Sequence, residues 1–258
     1  MRIISLAVAG IHQASQRGLF QWLATQEANI ICLQDLRCQE PILTSTPEFV
    51  LEGYTSYFFD SPTPENGVAI YCREIPKAIM YGFGSTNGED MSGRYLQADF
   101  EHTSVCSLLA PEASSANTPE QKQKDQFFRD LQGHLSKISR KRRDYVICGN
   151  WNIAHSAVDI SEPNTCKNLS GFLPEERQYL NQLYQDIGYA DAFRRYNTDA
   201  DEFSYWPSGE PGIGTGWRTD LQVVSQGLKN RVEYAAIYKS TSFSSHAPVI
   251  IDYDIESL

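Results

Sequence analysis

The 258-residue sequence contains no run of roughly 20 apolar residues that could span a bilayer, and no C-x-x-C pair that would suggest a zinc or redox site. Its first ten residues, Met1 to Gly10, hold one early charge and a short apolar stretch that gives way to polar Gln13 to Arg17, which is not the pattern of a secretory leader. A cytoplasmic protein with no membrane partner is expected. Positive charge is scarce as well: 22 Lys and Arg stand against 32 Asp and Glu, a net charge of −10. A surface that wraps nucleic acid on all sides is therefore excluded, and any phosphate contact has to be local.

The six cysteines are Cys32, Cys38, Cys72, Cys106, Cys148 and Cys166, and four of them sit inside apolar, strand-like runs. Buried thiols are the expectation, not disulfides. A hydrophobic fraction of 41% with 21% charged residues is the composition of a folded chain, and no linker or repeat divides it, so one domain over 1–258 is expected.

Apolar or β-branched runs alternate with amphipathic stretches, which predicts a layered α/β fold. Strands are expected at Ile3–Ala9, Ile30–Leu33, Val68–Arg73, Tyr95–Phe100, Ser104–Leu109, Tyr145–Cys148, Leu221–Val224, Tyr234–Tyr238 and Val249–Tyr253. Helices are expected at Gln13–Gln26, after the capping box Thr118-Pro119-Glu120-Gln121, and from Pro174 to Asp186 with a stop at Gly188. Polar residues then gather where predicted strands end: Gln34-Asp35, Gly149-Asn150-Trp151-Asn152, Trp217-Arg218-Thr219-Asp220 and Ser244-Ser245-His246.

The order and spacing of these segments resemble the exonuclease III/AP endonuclease branch of the endonuclease-exonuclease-phosphatase superfamily, over residues 1 to 253. That resemblance implies a DNase I-like four-layer α/β sandwich, two mixed β-sheets packed face to face with helices outside, and a site at the rim that cuts phosphodiesters with Mg²⁺. It also exposes departures. The family's W-N-V-N-G becomes Leu6-Ala7-Val8-Ala9-Gly10, with Ala7 in place of an asparagine, and its L-Q-E becomes Leu33-Gln34-Asp35, one methylene shorter. The tyrosine of V-Y-V-P-N becomes Leu109, G-D-x-N becomes Gly149-Asn150-Trp151-Asn152, and S-D-H-x-P becomes Ser244-Ser245-His246-Ala247-Pro248.

His246 and Asp220 keep the family's histidine and its orienting carboxylate, and Asn152 and His155 persist. Each lost acid, base or charge stabiliser costs on the order of 10²–10⁴ in rate, so the substitutions predict a vestigial site, no enzymatic activity and no cofactor, with Asp35 and Asn152 as weak metal candidates. A divergent Mg²⁺-dependent phosphodiesterase built on Asp35, Asn152 and His246 is the alternative, and a scaffold protein with no RNA role is a third.

Within the branch, this pattern and the stretches Gly93 to Phe100 and His246 to Asp254 are similar to the catabolite repression control group. That likeness implies a translational co-repressor that joins the RNA chaperone Hfq on A-rich mRNA, with a homodimer as one form of the assembly. Lys137, Arg140, Lys141, Arg142 and Arg143 form the one dense basic run, to which Lys229 and Arg231 could add; it is either a solvated helix end or a local contact for RNA or partner. Tyr205, Trp206 and Trp217 are expected to pack in the core or at the rim, with base stacking as the alternative. Gly212 to Gly216 opens no predicted helix and is taken as a loop, not a nucleotide cradle. Ser244 and Ser245 beside His246 lack the G-x-S-x-G elbow of a serine hydrolase.

Overall fold

The computed structural model describes residues 1–84 and 91–255. In chain order the elements are β1 (Arg2–Ala7), α1 (Ile11–Gln16), α2 (Leu19–Ala24), β2 (Ile30–Gln34), α3 (Glu40–Ser45), β3 (Thr55–Phe59) and β4 (Val68–Cys72). They are followed by β5 (Ala78–Tyr81), β6 (Tyr95–Asp99), β7 (Thr103–Leu109), α4 (Pro119–Ile138), β8 (Asp144–Asn150), α5 (Pro163–Cys166) and α6 (Pro174–Gln182). The chain closes with β9 (Ala190–Asp191), α7 (Ala192–Tyr196), β10 (Asp220–Val224), β11 (Val232–Ile237) and β12 (Val249–Tyr253).

Two mixed six-stranded sheets form, ordered β11-β12-β1-β2-β4-β3 and β5-β6-β7-β8-β10-β9. Each holds one parallel pair at its centre, β1 with β2 and β7 with β8, joined by a helical crossover because parallel neighbours cannot be linked by a tight turn. The central strands are buried beyond their first residues, which is why β1, β2 and β8 are near-continuous apolar runs and not alternating ones.

Three large apolar clusters correspond to the interfaces between layers. Ile3, Ile30, Ile70, Leu96, Val146 and Cys148 fill the space between the sheets. Leu19, Phe20 and Leu23 of α2 cover Leu6, Leu33 and Tyr71 on one outer face, and Phe127, Phe128 and Leu131 of α4 cover Leu108 and Ile147 on the other. The four-layer sandwich anticipated from the family likeness is the observed architecture, and all six cysteines are free and buried. Among the described residues no helix is long and apolar enough to cross a membrane.

Three local expectations need correction. The helix expected over Gln13–Gln26 is two helices, because Gly18 takes a left-handed conformation (φ 86°) and ends one before the next begins. Thr118 does cap α4, accepting from the Gln121 amide at 3.1 Å, but the Gln121 side chain completes no box and instead donates to Asp125 and Glu176. The third helix ends at Gln182 and continues as one wide turn, Leu183–Ile187, before Gly188.

At Gly149 the two central strands of the second sheet pass so closely that a Cβ there would lie 1.9 Å from the Leu108 carbonyl oxygen. Gly149→Ala should therefore cost about 1–3 kcal/mol or more, as overpacking does. Gly133→Ala, in an open position on α4, should instead stabilise by up to about 1 kcal/mol. Urea midpoints of the two variants check the contrast.

Candidate functional site

The C-terminal ends of the central strands converge on one rim. Ala7 pairs with Gln34 at the end of β1 and β2, while Asn150 at the end of β8 faces both Leu109 on β7 and Asp220 on β10. Ser244 ties in the last loop, its hydroxyl donating to the Ala7 carbonyl at 2.7 Å and accepting from the His246 amide. Ladder register thus brings Ala7, Asp35, Leu109, Asn150, Asn152, Asp220, Ser245 and His246 to the same edge of the sandwich, although only some of them touch.

The best-formed contact is a buried chain: Nδ1 of His246 lies 2.8 Å from Oδ2 of Asp220, and the Ser204 hydroxyl donates to that same oxygen at 2.7 Å while accepting from the Asp220 amide. Asp220 and His246 are both buried, and Tyr205 stacks on the imidazole with ring centroids 4.4 Å apart. Burial disfavours the imidazolium, but the adjacent Asp220 carboxylate outweighs it, so the His246 pKa is raised above its ordinary value. With Nδ1 held by Asp220, Nε2 is the ring nitrogen that this pair leaves unengaged.

Asn150 is buried and its side-chain oxygen accepts from the Asn152 amide at 2.9 Å. Asn152 adopts a left-handed backbone (φ 51°), and its side-chain Nδ2 donates to the Ala110 carbonyl at 2.8 Å. Beside them opens a cleft of about 170 Å³, lined among others by Glu112, Lys124, Asn152, Tyr205, Trp217 and Thr219. Lys124 is buried, pairs with Glu176 at 2.6 Å and donates to the Asn152 carbonyl at 2.8 Å. Burial lowers its pKa, partly countered by Glu176. Glu112, exposed at the mouth, is near enough to favour the charged forms of Arg37, Lys124 and His246.

Lys124, Ser204 and Arg37 lie outside the motifs named above. Gln121, Lys124, Phe128, Leu131 and Leu135 recur at helical spacing, so two polar residues lie on the buried stripe of α4. His155 is held apart, bonded to Asn181 at 2.8 Å. Trp206 is core, whereas Trp217 packs on Phe172 and Ile160 and also lines the cleft. The 212–216 glycine loop leads into β10 and opens no helix.

The basic run is elsewhere. It precedes β8, whose seven residues put it about 20 Å from Asn150 at the opposite end of the strand. Lys137, Arg140, Lys141 and Arg142 are exposed, while Arg143 donates to the carbonyls of Phe100, Glu101 and Thr103, which commits it to the fold. Lys141 and Arg142 line one cleft and Arg231 a second, both bordered by His102 and Asp144, with Lys229 in the intervening loop.

A Mg²⁺ ion requires several oxygen ligands at about 2.0–2.1 Å. Among the described residues no three His, Cys, Asp or Glu side chains are placed to hold a metal ion. Both oxygens of Asp35 are already bonded by Arg37. The residues present do not fit such an ion.

Comparison with known proteins identifies the setting. The endonuclease/exonuclease/phosphatase family matches residues 10–240. The exodeoxyribonuclease of Bacillus subtilis is 27% identical over 253 residues, covering 96% of this chain and 98% of that protein. Exodeoxyribonuclease III of Haemophilus influenzae is 30% identical, covering 98% and 100%. An AP endonuclease structure from Archaeoglobus fulgidus superposes with a TM-score of 0.88 at 23% identity, over 99% of this chain and 100% of that one. The expectation of a protein without enzymatic activity is overturned by these relatives, which are nucleases along essentially the whole chain.

Proposed function

We propose that this chain, which belongs to the endonuclease/exonuclease/phosphatase family, is a divergent phosphodiesterase of the exonuclease III/AP endonuclease type, acting on phosphate esters of nucleic acid. The observation that carries this reading is the Ser204-Asp220-His246 chain of hydrogen bonds beside a polar cleft. Asp220 fixes the imidazole and sustains its positive charge, so Nε2–H is a donor for a phosphate oxygen and a proton source for the departing alkoxide. Asn152, Lys124 and Thr219 line the neighbouring cleft, whose Tyr205 stacks on the imidazole, and on this reading that cleft seats the phosphate.

The test uses end-labelled duplexes with an abasic site, duplexes with recessed ends, and single-stranded RNA, each followed on sequencing gels with Mg²⁺ and with chelator. Shortening that His246→Gln removes is expected. Intact substrates in every condition, or shortening that His246→Gln leaves unchanged, would refute the assignment.

A second reading concerns regulation: membership of the catabolite repression control group, repressing translation with Hfq on A-rich mRNA. It is favoured by the gathering of exposed Lys137, Arg140, Lys141 and Arg142 with Lys229 and Arg231 at one pole, the local positive field that phosphate contact requires in an acidic protein. A slower-migrating RNA complex that needs both proteins, and that Arg140→Ala with Arg142→Ala weakens most at high salt, is expected in a mobility-shift gel. An unaltered Hfq–RNA band would remove this reading and leave the first in place.

A further inference from the structure

The turn after β2 is built around a contact that neither reading uses. Arg37 grips the Asp35 carboxylate with two parallel bonds, Nε to Oδ1 at 3.0 Å and Nη2 to Oδ2 at 2.8 Å. To bring side chains two residues apart onto one another, both Asp35 (φ 55°) and Arg37 (φ 50°) adopt left-handed backbone conformations. Each costs a non-glycine residue about 1–3 kcal/mol and persists only where its surroundings enforce it. Four backbone bonds do so: Gly10 N to Asp35 O, Ile11 N to Leu36 O, Leu36 N to Gly67 O, and Arg37 N to Asn66 O, all between 2.9 and 3.2 Å.

The Asp35 side chain is 12% exposed and that of Arg37 is 51%, so the carboxylate faces the rim with the guanidinium laid over it. A forked guanidinium satisfies both carboxylate oxygens at once, with the geometry that makes such pairs strong. Glu112 lies across the mouth and adds to the negative field that Arg37 answers.

We infer that Arg37 is a tethered cation, occupying at Asp35 the place that a divalent metal ion would otherwise take. The positive charge that the rim needs opposite a phosphate is thereby supplied by the chain itself and does not depend on the concentration of free metal. An isolated carboxylate can hold a mostly hydrated divalent ion, so removing the guanidinium should open a site.

The test is binding, which keeps it separate from whether the protein hydrolyses anything. Manganous ion is titrated into the purified full-length chain, and free Mn²⁺ is read by its electron paramagnetic resonance signal, with circular dichroism confirming that each variant is folded. Wild type and Arg37→Lys should show no saturable site. Arg37→Gln should gain one saturable Mn²⁺ site per chain, and Asp35→Asn in that background should abolish it. If Arg37→Gln gains no Mn²⁺, the inference fails. Should that variant not fold, wild type alone decides: a saturable Mn²⁺ site that Asp35→Asn removes overturns the inference, and its absence upholds it.

Discussion

Replacing His246 with glutamine should lower turnover on a nucleic-acid phosphodiester by about 10²–10⁴-fold, the usual range for a positioned proton donor. Glutamine keeps a planar polar group of similar reach but carries neither the charge nor the proton, so substrate binding should change far less than turnover. The pH profile separates this role from a structural one. Burial opposes protonation of His246, yet Asp220 at 2.8 Å more than compensates and raises its pKa. If the imidazolium is the working form, turnover is retained at low pH and declines as pH rises through that raised value. Asp220→Asn removes the compensating charge while leaving the burial, so the decline should move to lower pH. The same shift carries a stability signature: the pair's contribution is fully present below the unfolded histidine value of about 6.5 and is lost as pH rises through the folded value. A profile that Asp220→Asn does not move would mean that another group governs the reaction.

What could be read from the sequence follows burial. The central strands, covered on both faces, are continuous apolar runs and declare themselves; β3, β5 and β9 do not. β3 and β9 are sheet edges, and β5 carries a mostly exposed Ala78-Ile79-Met80-Tyr81 with no clear alternation. The break at Gly18 is not legible because apolar spacing continues on both sides of it, and a left-handed residue is visible only in the backbone.

The site divides in the same way. Asp220 and His246 lie in motifs with fixed neighbours, so their pairing could be anticipated. Lys124 meets Glu176 and the Asn152 carbonyl across separations that no local pattern encodes. Ala7, Leu109, Asn150 and Ser245 depart from the motifs of the resemblance drawn above, but such departures describe single side chains, not which hydrogen bonds remain. The Ser204 bond to Asp220 is one that remains, and it depends on the Ser204 amide pairing with the Trp217 carbonyl to bring the segments together.

Arg218 is the residue whose loss should cost the fold most. It is fully buried between two carboxylates, with Nε 2.7 Å from Asp159 and Nη2 2.6 Å from Asp191, and its ring neighbour is Phe193. Taking one member from a buried ionic network leaves a charge with neither water nor partner, at about 3–5 kcal/mol. Arg218→Met should therefore lower the urea midpoint at neutral pH by an amount of that size. Asp159 keeps Arg194 and the Ser156 hydroxyl, so Asp191 is the carboxylate left most exposed to the deficit.

The remedy is specific to this explanation. Asp159→Asn and Asp191→Asn added to Arg218→Met should recover much of the loss, because replacing a whole buried network by neutral groups is often close to neutral. Acid offers an independent check. Burial disfavours the Asp159 carboxylate, but Arg218 and Arg194 overcome it and hold its pKa well below the carboxylate range. Its contribution to wild-type stability is thus present above the unfolded value of about 3.9 and lost as pH falls through the folded one. In Arg218→Met the stranded carboxylate can take up a proton as pH falls, so the deficit against wild type should shrink between pH about 7 and about 4. A deficit that stays constant over that interval would point to lost packing against Phe193 and not to stranded charge. Because Arg218 immediately precedes Thr219 and Asp220, the same variant should also loosen the strand end that aims His246.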